Sequence, residues 1–143
     1  MLGLHIAVGF CVIALNLAAG AIGGYAWFRS RPSIPFWYLL RLAQVSVFIQ
    51  ALIGGLLVVT NHEPNEDLHY VYGILPLAIS FIAEGARAGA AHRELGETDF
   101  EALDADTQQE VALAIVRREM GIMAVSCWVI FFVAMRAALT SGL

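Results

Sequence analysis

Two of the four histidines stand in the same short context. His5 lies in LHIAVG and His69 in LHYVYG: each follows a leucine, precedes a glycine by four residues, and heads a long apolar run. Imidazole is a common ligand of haem iron, and a glycine one helical turn away leaves room for a flat ring. The pair therefore reads as two candidate axial ligands, with Gly9 and Gly73 as the spaces beside them. The ordinary alternative is a pair of helix-entry histidines touching lipid headgroups or loop carbonyls.

Whether two such residues meet depends on the elements that carry them. Of 143 residues, 59% are hydrophobic and 14% charged, and the mean hydropathy is +0.73. Spanning a hydrocarbon layer about 30 Å thick takes roughly 20 helical residues. Stretches at about 4–28, 37–60, 68–90 and 120–140 meet that length, and the last is entered from a helix beginning near 107. The chain thus reads as a single transmembrane domain, 1–143: an all-α integral membrane four-helix bundle, up-down-up-down. In such a bundle the first and third helices are parallel and diagonal. That places His5 and His69 at one depth on opposite sides of the core, where a centrally held ring needs its two ligands. Arg136, at the same end of the fourth helix, is the arginine available to a haem propionate.

Arginines set the orientation, for the chain has no lysine. Arg29, Arg31 and Arg41 flank the first connection and Arg87, Arg93, Arg117 and Arg118 the third, which leaves Arg136 alone at the other end. The positive-inside bias places both termini and the loop 61–67 outside, in the inner (plasma) membrane, with a partly helical cytoplasmic loop between helices three and four. The first segment has no basic residue before it, so it reads as a retained helix and not as a cleaved signal. A net charge of −4 argues against nucleic acid as a partner and leaves membrane lipid. Cys11 and Cys127 form no CxxC and read as packing residues.

Local signals refine the elements. Gly9, Gly20, Gly23 and Gly24 let the first helix approach its neighbours, and Asn16 near mid-membrane is expected to bond across helices. Pro32 and Pro35 break and restart the chain between the aromatic belts Tyr25/Trp27 and Trp37/Tyr38. Asn65 or Asp67 is expected to cap the third helix, where Pro76 predicts a kink. Gly85 and Gly89 form a GxxxG for a neighbouring helix, in this chain or in a homodimer or larger membrane complex. Capping-box spacing at 98–101 and 107–110 predicts helix starts at Thr98 and Thr107.

Two other constellations carry chemistry. Arg41, Gln44, Glu84, Arg87 and Glu119 gather near the arginine-rich end, with Arg41 and Gln44 on one helical face. They suit a quinone headgroup, a lipid phosphate or proton conduction, or else a structural ion-pair network at the interface. His62, Glu63, Glu66, Asp67 and His69 offer mixed zinc or copper ligands, but their spacing matches no compact motif and favours a solvated acidic loop.

The run QALIGGLLVVT at 50–60, a short polar loop and then Leu68-His69 resemble one half of a haem A synthase, a family in which a QxxLGG-like segment precedes a helix opening on a haem-ligand histidine. The family's other ligand opens a helix one hairpin earlier, which corresponds to His5. The resemblance covers about 70 residues and implies binding of one haem b by His5 and His69. This chain has one such bundle where the family has two, and no acidic residue stands before His5, so methyl-group oxidation does not carry over. The expected function is haem binding for electron transfer or haem handling, leaning away from catalysis. The alternatives are a cofactor-free accessory subunit of a membrane complex and a quinone- or lipid-binding protein.

Overall fold

The structure, a computed structural model, describes residues 1–60, 68–96 and 98–140. These residues form four long helices and no strand: α1 (Leu2–Phe28), α2 (Ile34–Val59), α3 (Leu68–Leu95) and α4 (Ala105–Thr140). A 3-10 turn at Phe100–Ala102 precedes α4. All four helices are long and apolar enough to cross a membrane. Phe28, Tyr38, Val59, Ile82 and Phe132 lie exposed on the flanks, a surface suited to hydrocarbon.

Helix α1 packs on both α2 and α4, while α3 packs on α4 and only sparsely on α2. The ring closes with α1 and α3 diagonal, as the alternating topology requires. One end of the bundle carries His5 and His69, and the other the connections rich in arginine.

Close approach is what stabilises helices in lipid, where burial from water contributes nothing. The core is therefore built by glycines facing rings. Gly23 lies on the Phe36 ring, which is fully buried, and a methyl group there would overlap it. A methyl on Gly121 would stand 2.8 Å from Trp27 Nε1, and one on Gly20 3.2 Å from the Trp128 indole. Phe36, Leu40, Met120, Met123 and Cys127 fill the arginine-end half of the core. Val12, Val47 and Ile130 form a smaller layer above them.

Several local expectations need correction. Asn16 is buried but donates to the Val12 carbonyl of its own helix at 2.9 Å, because an amide reaches one turn back more cheaply than across a bundle. Helix α3 extends beyond residue 90, with Pro76 inside it, and ends where Gly96 adopts φ +55°. Helix α4 starts at Ala105, not Thr107: Asp104 accepts the Thr107 N–H at 3.1 Å and its hydroxyl at 2.7 Å. Likewise Asp99, not Thr98, caps the 3-10 turn through the Glu101 N–H. Cys127 is buried, whereas Cys11 is exposed on the flank. Gly85 faces open space and Gly89 meets only its own Arg93, so the GxxxG packs on no helix of this chain among the described residues. The caps proposed at Asn65 and Asp67 lie outside the described residues.

Candidate functional site

At the histidine end the imidazoles of His5 and His69 face each other across the bundle, ring centroids 6.1 Å apart and planes inclined at 61°. Both are half-buried. With α1 and α3 diagonal, each ring enters the space between α2 and α4.

Helix geometry explains how His69 is held. Ala137 lies in the last turn of α4, where backbone carbonyls have no partner within the helix. Its oxygen takes His69 Nδ1 at 3.2 Å, as well as the Thr140 hydroxyl at 3.0 Å. A carbonyl only accepts, so Nδ1 carries the proton, and in the neutral imidazole the lone pair is then on Nε2. Metal-ligating histidines are commonly anchored through their other nitrogen in this way. Arg136, the residue before Ala137, is exposed on the same turn.

His5 is held by a reciprocal arrangement between antiparallel helices. A Cβ on Gly54 would stand 3.2 Å from His5 Cε1, and one on Gly9 would stand 3.2 Å from Gln50 Nε2. The pairs His5-x-x-x-Gly9 and Gln50-x-x-x-Gly54 thus lie head to tail, each polar side chain over the other helix's glycine. Gln50 Nε2 and His5 Nε2 are 3.2 Å apart. His5 Nδ1 and Gln50 Oε1 are buried with no hydrogen-bond partner among the described residues. Buried polar atoms left unmet are rare and point to strain or to a missing ligand. Which imidazole nitrogen carries the proton depends on which end of the Gln50 amide faces it. With Oε1 turned towards Nε2–H, the lone pair is on Nδ1.

The glycines therefore divide their roles in a way the HxxxG spacing did not reveal. Gly9 makes room for Gln50, and Gly54 is the glycine against the His5 ring. Gly73 opens on empty space. Gln50 and Gly54 went unread as site residues, although QxxxG on a neighbouring antiparallel helix repeats the HxxxG spacing.

The second constellation forms a connected network at the opposite end. Arg41 Nη1 donates to Gln44 Oε1 at 2.6 Å and to Glu84 Oε1 at 2.5 Å, and Gln44 Nε2 donates to the same carboxylate oxygen at 2.7 Å. Arg87 Nε reaches Glu84 Oε2 at 2.8 Å, and its Nη1 stands 3.6 Å from Glu119. Separately, Arg118 pairs with Glu94. Of the third set, His62, Glu63, Glu66 and Asp67 lie outside the described residues. No cluster of three or more His, Cys, Asp or Glu side chains placed to hold a metal ion occurs among the described residues.

Fold and site define a bundle of four helices, each long and apolar enough to cross a membrane, with a facing histidine pair at one end. Comparison with known protein families, characterised proteins and solved structures gives no match to this chain.

Proposed function

We propose that the protein binds one haem b through His5 and His69 and serves electron transfer or haem handling in the inner (plasma) membrane, both termini outside. The observation that carries this is the facing pair itself. With metal–nitrogen bonds of about 2 Å, two imidazoles whose centres lie 6.1 Å apart could both reach one iron. Two further features support it: Ala137 holds His69 Nδ1–H, which leaves the lone pair of the neutral ring on Nε2, and His5 Nδ1 is buried with no hydrogen-bond partner among the described residues.

The residues present fit the group. His5 and His69 would hold the iron, Gln50 and Ala137 would orient the two rings, and Arg136 would meet a propionate. Small residues clear the surroundings: Gly54 admits the His5 ring, and Gly73 faces open space. A bound haem supplies a one-electron ferric/ferrous couple. The protein's part is to fix the ligands and exclude water on the core side, where Val12, Val47 and Ile130 are buried. The likeness of residues 50–69 to a haem A synthase half points the same way.

Absorbance of protein purified after expression with haem supplied tests this. A low-spin Soret and α/β-band spectrum is expected, lost in His5→Ala and in His69→Ala while helicity persists. A wild-type protein with no Soret band sinks the proposal.

A further inference from the structure

The sparse seam between α2 and α3 opens into a groove of ≈ 190 Å³ that neither His5 nor His69 lines. Arg41, Gln44, Ser80 and Glu84 give it polar lining, and Phe48 and Phe81 give it aromatic lining. The polar groups are unequally satisfied. Glu84 accepts on both oxygens, Gln44 both donates and accepts, and the Ser80 hydroxyl donates to the Pro76 carbonyl. Arg41 is different. Its Nη1 makes both of its hydrogen bonds, which leaves Nε and Nη2 without a partner among the described residues on a side chain 51% exposed. Those free donors leave Arg41 able to bind an acceptor oxygen in the groove it lines.

Charge decides which acceptor. Arg41 and Arg87 are balanced by Glu84 and Glu119, so the network has no surplus positive charge for a phosphate. The Glu84 carboxylate lines the groove and would repel one. A neutral carbonyl on a flat ring suits both the free donors and the phenylalanines. We propose that this groove binds the headgroup of a membrane quinone, a carbonyl accepting from Arg41 and the apolar tail leaving through the open seam into lipid. The proposal does not depend on the haem site.

The test is photolabelling of the full chain in phosphatidylcholine nanodiscs with a decyl-tailed azido-benzoquinone, competed by the unlabelled decyl benzoquinone. Labelling within 41–48 or 77–84, suppressed by the competitor, is expected. Arg41→Leu should weaken apparent affinity about tenfold, the loss of one charge-assisted hydrogen bond. Phe81→Trp, which fills the groove without touching the ion pairs, should weaken it similarly and decides the matter if Arg41→Leu does not fold. Arg118→Leu, in the separate ion pair, should leave labelling unchanged. The proposal is overturned by wild-type labelling that the competitor does not suppress, by labelling elsewhere, or by indifference to Phe81→Trp. Displacement of the label by phosphatidylglycerol at the concentrations that phosphatidylcholine tolerates would overturn it in favour of a phosphate site.

Discussion

Two imidazoles are held by different means at the two faces of one site. A helix-end carbonyl fixes His69, whereas His5 depends on the Gln50 amide and on the absence of a side chain at Gly54. Loss of an outer partner of a metal ligand typically costs about 10–100-fold in affinity. Gln50→Leu should therefore weaken haem retention by that order, measured by transfer of haem to apomyoglobin, with the folded helical content unchanged. Gly54→Val should act more strongly, since its side chain begins 3.2 Å from His5 Cε1. The adjacent Gly55 faces open space, and Gly55→Val should leave haem retention as in wild type. The histidines were readable from sequence because their type, matched context and helix-entry positions are local facts. Gln50 and Gly54 were not, because their role exists only once an antiparallel neighbour is set in register.

The closest helix contacts rest on a few small residues, and those can be ranked. Gly23→Ala should destabilise the bundle by about 1–3 kcal/mol, the usual cost of overpacking, because the new methyl overlaps the buried Phe36 ring. Gly85→Ala, with nothing nearby, should be neutral; thermal unfolding in detergent separates the two. At the start of α4, hydrogen bonds from the Thr107 hydroxyl and N–H hold the Asp104 carboxyl below its ordinary range. A lowered folded value means the cap contributes above the ordinary carboxylate pKa and is lost as pH falls through the lowered one. Amide shifts of residues 105–108 should therefore stay native at pH 5 and move towards coil under stronger acid, whereas Asp104→Ala shows coil-like shifts at neutral pH. The helices themselves were readable, since apolar length alone specifies a span. Their ends were less so: Asp104 displaced Thr107 as cap because a carboxylate competes better for two donors, and Asn16 found its partner within its own turn.

For the molecule as a whole, alternation of four spans puts both helix entries bearing His5 and His69 at one end, and seven of eight arginines near the other. An alkaline phosphatase fused after residue 143 should accordingly be active, and one inserted at 98 inactive, in intact bacterial cells; the reverse pattern would contradict the orientation. Helix α4, at about 1.5 Å per residue, exceeds a 30 Å hydrocarbon layer, so its charged first turns from Asp106 to Arg118 stand beyond the span. The diagonal placement of α1 and α3 turns two local sequence features into one site, and the bis-histidine haem is the claim on which the functional reading rests. Low-temperature electron paramagnetic resonance of the ferric, haem-loaded protein tests it most directly. The expected result is a low-spin ferric signal of two imidazole ligands, replaced by a high-spin signal in His69→Ala. A high-spin signal in the wild type, or a low-spin signal that survives in both His5→Ala and His69→Ala, would contradict it.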